Sequence, residues 1–210
     1  MTMEQFNKDT ALERFQEVFA KKGYVFFNSK KDYDLNIIGV RSDFGDKVTN
    51  KFDDLMFVIY WVNGELNMKT YDITTEPGMY YMTKKLGNSK GTAILVPGQY
   101  RGCWMIGKHN GKYEALVQCR PVKVYRDGDF DMVYDKLPGS IDSGLFGLNI
   151  HRSNPVTHSI TVDNWSAGCQ VFAKASDFKE FMALCNEQKK RYGNGFTYTL
   201  LDEKDVLPIG

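Results

Sequence analysis

The sequence is poor in the features that define several protein classes. It has four cysteines with no Cys-x-x-Cys pair and only three histidines, which leaves too few ligands for a closed zinc site. No charge sign dominates: 27 Lys and Arg face 26 Asp and Glu, for a net +1. A phosphate-binding protein carries a basic excess or stripe, so nucleic acid is excluded as an expected partner. Long apolar runs are also missing. The longest, Leu55–Val62, is far short of a membrane span. The first 23 residues lack the apolar stretch of a signal peptide, so a soluble product made in the cytoplasm with reduced thiols is expected.

What is present points to β structure. Apolar residues make up 42% of the 210, with 14 Phe, 12 Tyr and 19 Gly, enough to build a core and many tight turns. Met3–Lys22 reads as a helix closed by Gly23, with Phe6, Leu12, Phe15, Val18 and Phe19 as a partial stripe. It is set apart as a helical extension, 1–23, before a single domain, 24–210. Short β-rich runs follow at Leu35–Val40, Leu55–Val62, Leu66–Ile73, Gly78–Met82, Thr92–Val96, Cys103–Ile106, Tyr113–Gln118, Val122–Tyr125 and Phe146–Ile150. Asn63-Gly64, Asn110-Gly111 and Asp127-Gly128 mark turns between them. Helical period returns after Cys169, where Ser176-Asp177 can cap a helix with Phe178, Phe181, Met182 and Cys185 on one face. Gly193 ends it, and a strand at Phe196–Leu201 follows. The expected fold is mainly β (α+β), a mixed sandwich or open barrel with a helix at each end.

Cys169 is the candidate nucleophile. It follows Gly168 in a polar turn, Trp165-Ser-Ala-Gly-Cys, that runs into an apolar strand. Glycine lets a substrate backbone approach, and turn amides around Gly168–Cys169 can hold an oxyanion. His151, at the end of Leu148-Asn-Ile-His, is the candidate base. Cys103, Cys119 and Cys185 lie in apolar surroundings and are expected to be buried and structural.

Leu148-Asn-Ile-His-Arg-Ser153, followed by Ser166-Ala-Gly-Cys169, resembles the signature of the L,D-transpeptidase (YkuD-like) catalytic domain. Thr74-Thr-Glu-Pro-Gly-Met-Tyr-Tyr-Met82 looks like that family's upstream Thr-Pro-x-Gly-x-Phe/Tyr element. The matched motifs span about residues 70–172. The resemblance implies a mixed β-sandwich, a Cys169 thioester, His151 as base, no metal or organic cofactor, and peptidoglycan stem peptides as substrate.

The departures are informative. Ala167 stands where the family has a second histidine, and Gln170-Val171 replaces an apolar-then-Arg/Asn ending. Region Gly91–Asp131 is longer than a minimal domain requires. A divergent, phage-like branch is expected, acting on the wall after lysis or as part of a virion, with hydrolysis favoured over cross-linking. The alternatives are a transpeptidase proper and a non-enzymatic wall-binding module. Ser166 is assigned to shape the turn. Arg152 is either a carboxylate clamp or a solvated loop residue. His109 is either a turn residue or a replacement for the missing histidine. Tyr81, with Tyr80, Tyr100 and Trp165, can line a groove or pack a core. His158 is expected to face solvent. A low-pKa thiolate at Cys169 should label faster than the other three cysteines.

Overall fold

The computed structural model describes residues 7–84 and 89–207. Its order is α1 (Lys8–Lys22), β1 (Asn36–Arg41), β2 (Asp54–Val62), β3 (Glu65–Thr74), α2 (Met79–Met82), β4 (Thr92–Leu95), β5 (Gly98–His109), β6 (Tyr113–Gln118) and β7 (Val122–Asp127). There follow β8 (Asp142–Gly144), β9 (Ile150–Arg152), β10 (Gln170–Phe172), α3 (Ala175–Tyr192), β11 (Phe196–Asp202) and α4 (Glu203–Val206). Eight strands form a closed barrel in the order β1-β11-β5-β6-β9-β10-β3-β2, and β4-β7-β8 form a second sheet. The mainly β reading holds. The barrel, however, is closed rather than open, because β1 pairs in parallel with β11 and antiparallel with β2. Closure removes the unpaired edges that an open sheet would leave.

Alternation along the strands sorts two cores. Ile37, Met56 and Val58 belong to the large cluster that also takes in Trp104, Phe172, Phe196 and the α3 residues Phe178 and Phe181. Ile38, Val40, Phe57 and Ile59 face the other way and pack with Ala11, Phe15, Val18 and Phe19 of α1. Helix α1 starts later than the apolar stripe suggests. Asn7 is its cap, accepting from the amides of Asp9 and Thr10, while Met3–Phe6 lie outside the described residues. Phe15 is fully buried against Phe57 at 5.1 Å between ring centroids, so truncating it to alanine should remove about 3–5 kcal/mol. No helix among the described residues is long and apolar enough to cross a membrane.

Three local assignments differ from the pattern. Gly78–Met82 is not a strand: Met79–Met82 form the short helix α2. Phe146–Asn149 is apolar but outside any strand, and only Ile150–Arg152 pairs. Side chains hold that segment instead of a ladder. Gln118 Oε1 accepts from the amides of Phe146 (2.9 Å) and Leu148 (3.1 Å), and Trp104 Nε1 donates to Leu148 O at 2.7 Å. Helix α3 is capped by Lys174, with Ser176 and Asp177 inside its first turn, and no side chain bonds the cap.

Candidate active site

Strand pairing decides which side chains meet. β9 and β10 run parallel in the register Gln170↔Ile150, Val171↔His151, Phe172↔Arg152. Side chains alternate along a strand, so Ile150, Gln170 and Phe172 point into the protein while Asn149, His151 and Cys169 share the opposite face. On that face lies a cleft of about 630 Å³ whose walls include Cys169, His151, Asn149, His109, Tyr81 and Arg152. Ala167 and Trp165 stand on its rim.

The turn before Cys169 is built from exact-fit backbone. Gly168 has φ +112°, and a Cβ there would lie 2.1 Å from Ala93 O of β4. Both conditions require glycine. Gly78 is pressed in the same way against Asp163 O, at 2.1 Å from a built Cβ, and its amide donates to Ser166 O at 2.9 Å. The Thr-Thr-Glu-Pro-Gly segment thus supports the turn that carries Cys169. Ser166 is fully buried. Its hydroxyl donates to Cys169 O at 2.8 Å and accepts from Gly168 N–H at 3.1 Å. That corrects one expectation: the Gly168 amide is engaged and not free for an oxyanion. The Cys169 N–H has no hydrogen-bond partner among the described residues and remains available. Gln170 turns inward and accepts from Tyr198 Oη at 2.8 Å, which explains a polar residue at this buried position.

His151 is 3% exposed. Its Nδ1 lies 2.8 Å from Arg152 O, which can only accept, so Nδ1 carries the hydrogen and Nε2 presents its lone pair. His109 stacks on it with centroids 4.0 Å apart and planes 22° from parallel. Asn149 Oδ1 accepts from Gln118 N at 3.0 Å, so its Nδ2 faces His109 Nδ1, also at 3.0 Å. Asn110 Nδ2 lies 3.1 Å from His109 Nε2 on the other side of the ring, so two amide groups face the single acceptor nitrogen of the neutral imidazole. His109 therefore stands in the cleft, against the reading of it as an exposed turn residue. Helix α2 brings Tyr81 to the cleft and leaves Tyr80 exposed beside it. Tyr100 is elsewhere, with its ring 6.1 Å from Trp104 and its hydroxyl on Val96 O. His158 is exposed.

Cys169 Sγ accepts from Asn149 N at 3.4 Å and contacts Gly147 O at 3.6 Å; among the described residues no hydrogen bond joins it to His151. Burial pushes its thiol up to about 11, partly opposed by the Asn149 amide. Burial, then the adjacent His109, pulls the His151 imidazole down to about 3. Both effects disfavour charge and so favour a neutral thiol beside a neutral imidazole over an ion pair. That runs against the low-pKa thiolate by which the enzyme reading would be told from a non-enzymatic module. Of the other cysteines, Cys103 and Cys185 are buried as expected, but Cys119 is half-buried at the end of β6. Asn149, Tyr113 and Gln118 were not singled out by the motifs; only Asn149 lies within one.

No protein-family model matches the chain, and no curated protein matches it.

Proposed function

We propose that the protein is a cysteine-dependent acyl-transfer enzyme acting on peptidoglycan stem peptides, hydrolysing them in preference to cross-linking them. The observation that carries this reading is the parallel pairing of β9 with β10, which sets Cys169 and His151 on one face at one cleft. In the reaction, Cys169 Sγ attacks a peptide carbonyl and His151 Nε2 takes the thiol proton. The leaving amine collects that proton, and water then cleaves the thioester, returning the thiol. The Cys169 N–H is the oxyanion donor the turn leaves free. With charge disfavoured at rest, proton transfer accompanies attack on the bound carbonyl instead of preceding it.

The preference for water rests on Ala167, which offers no hydrogen bond on the rim where a second peptide would dock. Fine specificity and the virion or lysis setting belong to the same proposal. A second reading, a wall-binding module without turnover, draws on the raised thiol and lowered imidazole. Purified muropeptides incubated with the protein and excess amine acceptor, followed by mass spectrometry, separate the three. Shortened stems support hydrolysis, amine-exchanged stems show transpeptidation, and unchanged stems with retained binding leave the module.

A further inference from the structure

The cleft is one arm of a longer trough. β6 and β9 share a single backbone pairing, Leu116↔Ile150, and beyond it the strands splay. The gap is bridged by the Tyr113 hydroxyl, which donates to Arg152 O at 3.2 Å. On the far side of this bridge lies a second groove of about 700 Å³, between the start of β6 and the outer face of α3. Tyr113, Arg152 and Pro155 line both spaces. The groove has an apolar floor of Phe178, Met182 and Ala183, and Glu114 and Lys179 stand at its rim. Neither rim residue makes an ion pair among the described residues.

Arg152 sits at the junction. Its guanidinium lies 4.1 Å from the centre of the Tyr113 ring, which fixes its plane. Nη1 donates to Ser153 O at 3.2 Å, and the other guanidinium donors have no partner among the described residues. A planar, half-buried fork with spare donors is suited to a carboxylate.

We propose that the α3 groove is a second subsite, holding the part of a peptide that lies beyond the reactive carbonyl. Its ligand is a peptide with a free carboxylate on Arg152 and an aliphatic side chain ending in an ammonium. The stem of that side chain covers Phe178 and Met182, and Glu114 receives its charge. The assignment rests on the acyl-transfer reading for what sits at Cys169.

The test uses the full chain carrying Cys169→Ala and calorimetry with the tetrapeptide L-Ala-γ-D-Glu-L-Lys-D-Ala and its C-terminal amide. Ala183 and Lys179 are exposed on α3, so Ala183→Trp and Lys179→Trp fill the groove without touching the core. The expected result is a tenfold or greater loss of tetrapeptide affinity in each, with unchanged melting temperature. Arg152→Gln should erase a preference for the acid over the amide. Equal affinity in the Trp variants, or no binding by the parent, overturns the subsite. Turnover by the wild-type chain is scored separately. Trp-sensitive binding without turnover keeps the subsite and rejects acyl transfer, whereas turnover with Trp-insensitive binding does the reverse.

Discussion

The two sides of the barrel are built by opposite rules. β2 and β3 pair at nine successive positions, from Asp54↔Ile73 to Val62↔Glu65, and α1 packs over this wall. On the other side β6 meets β9 at one position and β10 meets β3 at two. Nearly every buried backbone group must be paired, so a complete ladder leaves none for anything else. Where the ladder lapses, backbone groups turn to side chains: Asn149 N–H to the thiol, Arg152 O to His151, and Cys169 N–H to no described partner. The zipped wall supplies rigidity, and the splayed wall supplies the groups that the proposed acyl transfer would use.

The sharpest way to separate the walls is to remove the reacting groups. Cys169→Ala and His151→Ala should each lower muropeptide turnover on the order of 10⁴-fold or more. Both lie in the splayed wall, so calorimetric melting should show both variants folded. Turnover surviving in Cys169→Ala would break the assignment of chemistry to this side.

The next effect belongs to the end of the zipped wall. Asp54 is buried and accepts from Ser42 N, Thr75 N and Thr75 Oγ1, while Arg41 bonds Thr75 and pairs with Glu76. Asp54→Ala strands these donors and should cost about 3–5 kcal/mol, measured by urea unfolding. Burial, then Asp53, raises the Asp54 carboxyl from 3.8 to about 6. A folded value above the unfolded one favours folding most below the unfolded value, and that benefit is lost as pH rises through about 6. Wild type should therefore gain stability between pH 8 and pH 5 from this group, a gain absent in Asp54→Asn. Equal pH slopes would refute the buried carboxylate as its source.

The splayed wall is also where the sequence was hardest to read. β2 and β6 were legible almost to the residue, because β-rich runs bounded by turn residues define a strand whose partners are other strands. Phe146–Asn149 has the same apolar character, yet Gln118 and Trp104 side chains take its backbone groups, and no local pattern announces bonds to residues 28 and 44 positions away. β8, Asp142–Gly144, does pair with β7, but Asp-Ser-Gly carries no apolar alternation that would mark a strand. The Cys169–His151 juxtaposition was legible because both stand at the rims of strands that pair. The neutral state of that pair was not, since burial is a property of the assembled barrel.

That neutral state gives a smaller but direct measurement. With its thiol at about 11 against an ordinary 9.0, Cys169 at neutral pH holds about 100-fold less thiolate than an unperturbed thiol. Alkylation by iodoacetamide, read by peptide mass spectrometry, should be slow at pH 7 and rise about tenfold per pH unit until about 11. Cys119, half-buried, should react first. Rapid labelling of Cys169 at pH 7 would restore the thiolate–imidazolium pair that its burial argues against.

The smallest effect tests whether side chains truly replace the missing ladder. Gln118 Oε1 holds the amides of Phe146 and Leu148, and its Nε2 donates to Gly144 O and Arg120 O, both at 2.9 Å. Gln118→Leu keeps much of the bulk and removes all four bonds, two of them to the segment that carries Asn149 toward Cys169. A net loss of about 1–3 kcal/mol follows from amides left without partners. Because Asn149 N–H is the donor to Sγ, loosening this segment should also change the pH profile of Cys169 alkylation. A side-chain truncation in the other wall, Thr70→Ala on β3, leaves the ladder intact and should leave that profile unmoved. If both substitutions shift it equally, the walls are coupled, and the division of labour between them fails.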